Sequence, residues 1–222
     1  MSDTIVAIMQ PYFFPYAGYF RLLTAADHFV VLDSVQFPRR GRVHRTRVPG
    51  PVGAPEWLTL PLVHAARNTL IQDMMFTDDA RTSFDQRLRR LPWLSAAKGP
   101  CADRLRTFLA SPLQGALVDF LVRGLELVND LLGIQVPLTR SSDLQVDSEM
   151  SGQNRIIAIA KAVGARRYLN LPGGRGLYQP EPFSAAGLEL AFLPDYAGPY
   201  RHFLPALATE DPADLLEDIL DF

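Results

Sequence analysis

Three short segments of this 222-residue chain carry residue types that bind or transform small molecules. The first runs from Gln10 to Phe20 and reads QPYFFPYAGYF. Its aromatic rings are suited to stacking on a base or a sugar. Gly18 would let the backbone approach a ligand at the start of a helix, where free N–H groups attract phosphate. An alternative is that the aromatic side chains, above all the phenylalanines, belong to the core. The predicted substrate-binding residues of this segment are Gln10, Tyr12, Tyr16, Gly18 and Tyr19.

The second segment is strongly cationic. Residues 39–47, RRGRVHRTR, hold five arginines and no acidic residue. Guanidinium groups packed this densely repel one another unless an anion lies among them, and each can bind phosphate or carboxylate oxygens in bidentate fashion. An alternative is a solvated loop that pairs with residues 209–222, which carry six acidic residues and no Lys or Arg. The predicted phosphate-binding residues are Arg39, Arg40, Arg45 and Arg47.

The same segment offers candidates for acid–base chemistry. Asp33 and Gln36 follow an apolar run, where a polar side chain is expected to have a structural or functional role. His44 lies among the arginines, and cationic neighbours favour its neutral form, which suits a general base. We predict catalytic roles for Asp33, Gln36 and His44. A structural role for a single histidine is the alternative.

The third segment, YLNLPGGRGLY, extends from Tyr168 to Tyr178. Asn170 ends an apolar run, and the following Gly-Gly pair allows a backbone turn that can wrap around a ligand. The predicted binding residues are Asn170, Gly173, Gly174 and Tyr178.

The elements that must position these segments form an α/β pattern. An apolar strand at residues 4–9, a helix at 18–26 and a second strand at 28–33 make a βαβ unit, so the two strands should be parallel. The carboxyl ends of parallel strands are where open α/β sheets bind ligands. The first two segments follow such strands, and the third follows a strand predicted at 166–171.

The remaining chain is predicted to contain a helical middle third. Residues 80–134 should form three helices, with N-caps at Asp79, at Asp103 and at Ser111, which precedes a proline. The third helix presents an apolar stripe of core residues and a charged opposite face. We expect loop at 34–56, a strand at 57–63, connecting structure at 136–150, a helix at 153–163, a strand at 188–193 and a last helix at 212–220.

These patterns predict one Rossmann-like α/β domain over 1–222, nucleotidyltransferase-like, with a parallel sheet and a helical subdomain at about 80–134. The composition, 48% hydrophobic and 21% charged, excludes a disordered chain. Cys101 is the single cysteine, so no internal disulfide is expected, and no residue spacing suggests a metal site. The chain has neither a signal peptide pattern nor an apolar stretch of about 18 residues, so a cytoplasmic protein without a membrane association is expected.

The opening strand, aromatic loop and glycine at a helix start resemble the phosphate-binding turn of the nucleotidyltransferase and adenylate-forming superfamily. That turn contains His-x-Gly-His, and the matching residues here are Tyr16, Ala17, Gly18 and Tyr19. The glycine is present and both histidines are absent. Ser141 and Ser142, ahead of a helix with Arg155, are similar to a later Ser-Ser/Thr…Arg element of that superfamily.

The three segments together resemble the WbqC-like family over essentially the whole chain. In the second motif, Asp33, Gln36, Arg45 and Arg47 match the family pattern, whereas Ser34, Arg42, His44 and Thr46 depart from it. The family is associated with surface-polysaccharide and natural-product gene clusters. The other matching motifs are IMQPYFFPYAGYF, TLPL at 59–62, SSDL at 141–144 and RYLNLPGGRGLY at 167–178.

The resemblance and the motifs imply a transferase that binds a nucleotide-activated substrate, either a sugar nucleotide or an adenylate, and transfers a group to or from an amine. One alternative is a non-catalytic binding or scaffold subunit of such a pathway. Another is an enzyme that transfers an amine or amino acid to nucleic acid, although the sequence pI of about 6.1 and the lack of interleaved basic helices argue against nucleic acid as partner. No cofactor is firmly implied beyond a nucleotide or nucleotide-linked substrate. A homodimer is left open.

Overall fold

A computed structural model describes residues 4–50 and 52–221 of the chain. Residues 1–3, part of the segment inspected for a signal peptide, lie outside the described residues, as do Pro51 of the predicted loop and residue 222. The strands are β1 Ile5–Met9, β2 His28–Val31, β3 Arg45–Pro49, β4 Pro55–Thr59, β5 Leu138–Arg140, β6 Arg167–Asn170 and β7 Glu189–Phe192. The helices are α1 Ala17–Ala25, α2 Ala80–Leu88, α3 Pro92–Ala96, α4 Pro100–Leu109, α5 Leu117–Leu132, α6 Gly152–Ala162, α7 Pro180–Ala185, α8 Phe203–Thr209 and α9 Pro212–Leu220.

Five strands form a parallel sheet in the order β5-β2-β1-β6-β7. The chain passes from β1 outward through β2 to β5, then returns to the other side of β1 for β6 and β7. The strand order therefore reverses between β1 and β6, which is the position where α/β folds bind ligands. The predicted Rossmann-like α/β fold is confirmed, including the parallel pairing of the first two strands.

Both faces of the sheet are covered by helices, as the apolar strand sequences require. Alternate side chains of β1 point to opposite faces: Val6 and Ile8 pack in a cluster with α6 and α7, whereas Ala7 packs in the larger cluster with α1. On that larger side, α1 and α5 both contact α9, and α4 contacts α8. Among the helices of residues 4–50 and 52–221, none combines the length and apolar character needed to cross a membrane.

The helical middle third is present, but two of its predicted starts are wrong. The helix predicted to follow an N-cap at Asp103 is α4, which begins at Pro100 after a positive-φ Gly99, so Asp103 lies within its first turn rather than at its cap. The third predicted helix begins at Leu117 rather than at Ser111-Pro112, because Gly115 adopts a φ of 72° and interrupts the chain before it. The predicted apolar stripe of this helix is confirmed as buried at Leu117, Phe120, Leu121, Leu125, Val128 and Leu132.

Five elements were missed or misplaced by the sequence patterns, including the short helix α3, which lies between the first two predicted helices of the middle third. β3 lies in the segment predicted as loop, where it pairs antiparallel with β4, and β5 lies in the predicted connecting structure. Helices α7 and α8 were not predicted. The last helix, at 212–220, is confirmed at both ends, and the Asp211 carboxylate accepts a hydrogen bond from the Ala213 N–H at 2.8 Å as its N-cap.

Candidate functional site

A pocket of about 480 Å³ opens at the carboxyl ends of β1 and β6, where the strand order reverses. We call it the β1–β6 crevice. The loop after β1 and the loop after β6 supply most of its lining, and Arg42 completes it. The lining includes seven predicted binding residues: Gln10, Tyr12, Tyr16, Asn170, Gly173, Gly174 and Tyr178.

The loop after β1 divides its aromatic side chains between the core and the crevice. Phe13 and Phe14 are 2% and 5% exposed and pack in the large core cluster. Phe14 adopts a φ of 44°, a strained backbone conformation for a bulky residue. The Phe13 N–H donates to the Arg42 carbonyl at 3.1 Å, and the Thr46 hydroxyl donates to the Phe14 carbonyl at 2.8 Å. These bonds hold the loop so that Tyr12 and Tyr16, rather than the phenylalanines, line the crevice.

The tyrosines of this loop remain protonated hydrogen-bonding groups. Burial raises the pKa of Tyr12 and of Tyr16, and the nearby Arg42 guanidinium opposes that rise at both. Tyr19 is fully buried beneath the loop, where its hydroxyl donates to the Gln10 carbonyl at 2.9 Å and burial raises its pKa well above the usual value. Tyr19 therefore supports the crevice from below and is absent from its lining.

Gly18 does not reach the crevice either. A Cβ at this position would lie 2.6 Å from the Cβ of Tyr196, so glycine is needed for close packing at the start of α1. The Ala17 N–H at that helix start already donates to the Tyr200 carbonyl at 3.1 Å. The Tyr196–Tyr200 segment thus covers the helix N-terminus that the sequence suggested as a phosphate site.

The loop after β6 shapes the opposite wall. Asn170 is buried, and its Oδ1 accepts a hydrogen bond from the Leu171 N–H at 2.7 Å. A Cβ on Gly174 would come closer than 3.0 Å to the Asn170 side-chain nitrogen, so this glycine fixes how near the backbone passes to that amide. Tyr178 stands edge-on to Tyr168, with ring centroids 5.7 Å apart.

Arg42 is the binding candidate that the sequence reasoning did not single out. Arg42 is not among the four arginines predicted to bind phosphate, and it departs from the family pattern of the second motif. Its side chain is exposed at the crevice and forms no ion pair within 4.0 Å in the described part of the chain. Arg201 lies close by: it donates to the Tyr196 carbonyl at 3.2 Å, and both arginines act against the burial-driven rise in the pKa of Tyr16.

The four arginines predicted to bind phosphate lie apart from the crevice lining. Arg45 and Arg47 both stack on the hairpin residue Trp57, with guanidinium carbons 4.3 and 4.6 Å from the indole centroid. Arg39 donates to the Ala65 carbonyl at 2.8 Å, and Arg40 is exposed. The dense arginine segment is thus divided among separate surfaces, and only Arg42 of its five members lines the crevice.

The predicted catalytic residues also lie outside the crevice lining. Asp33 is fully buried; its Oδ1 accepts from the Ser141 hydroxyl and the Ser142 N–H, and its Oδ2 accepts from the Ser142 hydroxyl at 2.7 Å. Gln36 is exposed and donates to the Arg67 carbonyl at 2.6 Å. The hydrogen bonds from Ser141 and Ser142 to Asp33 show that this serine pair holds the end of β2.

His44 lines a second pocket of about 510 Å³, which also includes Arg39. Its ring packs against Phe37 with centroids 5.1 Å apart, and its buried Nδ1 has no hydrogen-bond partner among the described residues. Burial and the neighbouring Arg45 guanidinium lower the pKa of His44 to about 4. The ring is therefore neutral at physiological pH, as the sequence suggested.

Comparisons with known proteins agree with the motifs. The model of the WbqC-like protein family matches residues 10–212, a range that contains all three candidate segments. A curated relative, described as the uncharacterized protein Rv1507c of Mycobacterium tuberculosis (strain ATCC 25618 / H37Rv), is 26% identical over 222 residues, which cover 97% of this chain and 92% of the relative. No solved structure gives a significant match.

Proposed function

This chain belongs to the WbqC-like protein family, and we propose that it is a transferase whose β1–β6 crevice binds a nucleotide-linked substrate and passes a group to or from an amine. One observation carries the proposal: at the switch point of a Rossmann-like sheet, aromatic and amide side chains line a crevice beside an arginine that has no ion-pair partner in the described residues. Sugar nucleotides of surface-polysaccharide or natural-product pathways are the substrate class that we propose.

The lining suits the base or sugar of such a substrate. Tyr12 and Tyr16 offer ring faces for stacking and hydroxyls for hydrogen bonds. The Asn170 amide provides a further polar group, and the Gly173-Gly174 backbone allows a close approach. The size of the crevice, about 480 Å³, is within the range of small-molecule sites.

The phosphates are assigned to Arg42, with Arg201, which lies near Tyr16 outside the crevice lining, as a second cation. The start of α1 is covered by the Tyr196–Tyr200 segment, so phosphate binding there would require that segment to move. Two guanidinium groups from separate loops can instead contact phosphate oxygens from two sides.

Isothermal titration with nucleoside mono- and diphosphates and with nucleotide sugars tests the proposal. The expected result is that a nucleotide-linked compound binds the wild type and that Arg42→Ala weakens this binding about tenfold, since a charge-assisted hydrogen bond is lost. Arg40→Ala is the matched control, an exposed arginine two residues away that does not line the crevice. If the folded wild type binds no compound of the panel, the proposal fails.

A second candidate function is a non-catalytic binding subunit. It is favoured by the crevice lining, which contains tyrosines, amides and an arginine but no carboxylate or imidazole among the described residues. Mass spectrometry of mixtures of protein, the bound nucleotide-linked compound and a panel of amines separates the two functions. A transferred group on an amine supports the transferase, and binding without any transfer product supports the binding subunit.

A further inference from the structure

The second pocket, of about 510 Å³, has no part in the function proposed for the crevice. It lies between α2 and the chain segment 59–66, and we call it the α2 pocket. None of its lining residues is shared with the crevice. It therefore needs its own explanation.

Two arginines enter the α2 pocket from different elements. Arg39 comes from the loop before β3, and Arg87 from the last turn of α2. Each is anchored by a backbone carbonyl, Arg39 by Ala65 and Arg87 by Thr59. Neither forms an ion pair within 4.0 Å in the described part of the chain. Because a guanidinium has five N–H donors, most of their donors are left for an oxyanion.

A carboxylate faces the same pocket from the other end of α2. Asp79, Ser83 and Arg87 follow one another at four-residue spacing, so they share one face of the helix, and all three line the pocket. The backbones of Asp79 and Arg87 are about 12 Å apart along the helix axis, from a rise of about 1.5 Å per residue. The hydrogen bond from the Ser83 hydroxyl is the largest cause of the lowered pKa of Asp79, so this carboxylate is ionised at neutral pH. The side chains of Asp79 and Arg87 approach more closely than their backbones, since the Arg87 guanidinium also helps to lower the pKa of Asp79.

The rest of the lining is apolar or neutral. Phe37, Leu60, Leu62 and Met74 form the apolar part of the wall. The imidazole of His44 is neutral at physiological pH and adds no charge, so it serves as a hydrogen-bonding group. A ligand that fits this lining carries an oxyanion for the arginines, a cationic donor for Asp79 and an apolar part that packs against the apolar wall.

We propose that the α2 pocket binds a small amine-bearing carboxylic acid, that is, a free amino acid. Its carboxylate contacts Arg39 and Arg87, and its ammonium group contacts Asp79. The charges of Arg39 and Arg87 outweigh the single negative charge of Asp79, so the pocket is net positive. The carboxylate of the ligand therefore supplies most of the affinity, and its ammonium group supplies selectivity. Binding stands on this pocket alone, and only a role of the amino acid as the amine partner in transfer rests on the proposed function.

Thermal-shift and titration measurements without nucleotide test this inference. The panel is the twenty standard amino acids with β-alanine and 4-aminobutyrate. At least one is expected to raise the melting temperature, and its des-amino acid is expected to bind about five- to tenfold more weakly, since the contact with Asp79 is lost. The decarboxylated amine is expected to bind least of the three.

Variants place the ligand in the pocket. Arg39→Ala is expected to weaken amino-acid binding about tenfold. Asp79→Asn, which keeps an oxygen for the Ser83 hydroxyl, should bring the affinity of the amino acid down to that of its des-amino analogue. Arg89→Ala, an exposed arginine of the same helix end outside the pocket, is the matched control and should bind as the wild type does.

The inference is overturned if no compound of the panel binds, or if Arg39→Ala and Arg89→Ala bind alike. It is also overturned if the des-amino acid binds as tightly as the amino acid. Because nucleotide is absent, a failure here leaves the titration at the crevice unaffected. In the same way, a failure of the crevice to bind nucleotides does not affect the inference that the α2 pocket binds an amino acid.

Discussion

At the scale of single residues, Asp33 shows how a buried carboxylate at a strand end can serve the fold. Its two oxygens accept three hydrogen bonds from Ser141 and Ser142, which fasten the end of β2 to the turn after β5. A polar group after an apolar run is visible in the sequence, but its partners are more than 100 residues away. The sequence could therefore identify Asp33 as important without distinguishing catalysis from structure.

We expect Asp33→Ala to lower the free energy of unfolding by about 2–4 kcal/mol, because the Ser141 and Ser142 groups lose a charged acceptor in a buried setting. Urea denaturation measures the loss. Asp143→Ala, an exposed acidic residue in the turn after β5, is the control and should cost less than about 0.5 kcal/mol. Equal stability of Asp33→Ala and the wild type would show that Asp33 has no such structural role.

His44 makes stability depend on pH in a predictable direction. Its pKa falls from 6.5 to about 4 in the folded protein, because burial and Arg45 disfavour the charged ring. Between these two values the unfolded chain gains a proton that the folded chain does not, so stability is present above pH 6.5 and is lost as the pH falls towards 4. The sequence shows that Arg45 is the neighbour of His44, but it does not show that the imidazole ring is buried.

From pH 7 to pH 4.5, we expect the wild type to lose about 1–2 kcal/mol more stability than His44→Gln, after allowance for the partial exposure of the ring. Urea denaturation at the two pH values gives the difference. His64→Gln, which removes an exposed imidazole of the same pocket, should retain the loss seen in the wild type. If His44→Gln shows an undiminished loss, the titration of another group is responsible.

At the scale of elements, the loops after β1 and β6 determine which candidate residues meet. Their sequences predicted seven of the residues that line the crevice, since strand-end loops of a parallel sheet share one edge. Elements with a local signal, such as the stripe of α5 and the cap of α9, were also predictable. The short strands β3 and β5 were not, because their sequences, RTRVP and LTR, contain no apolar run and their pairing depends on distant partners.

Two glycines of the β6 loop offer a test of that loop. Gly174→Ala should displace the Asn170 amide and weaken binding at the crevice about tenfold, the equivalent of one hydrogen bond. Gly176→Ala adds a Cβ that meets no described atom within 4 Å and lies outside the crevice lining, so it should bind as the wild type does. Titration with whichever nucleotide-linked compound binds the wild type gives both values. If the two variants bind with identical affinity, Asn170 has no role in binding at the crevice.

At the scale of the whole molecule, the charge is organised more finely than its net value of −2 suggests. The arginine segment supplies Arg42 to the crevice, Arg39 to the α2 pocket and the pair that stacks on Trp57. The sequence showed that arginines are concentrated in residues 39–47. Their distribution over separate surfaces depends on how this segment folds between the two pockets. Such a divided distribution favours small anionic ligands over a continuous nucleic-acid track.

Hydrogen–deuterium exchange with and without a saturating nucleotide-linked compound tests the central claim most directly, because it surveys the whole molecule at once. The account predicts slower exchange in residues 10–16 and 170–178, the two loops at the strand-order reversal. Slower exchange confined to segment 59–66 and α2, or no change with any nucleotide-linked compound, would contradict it.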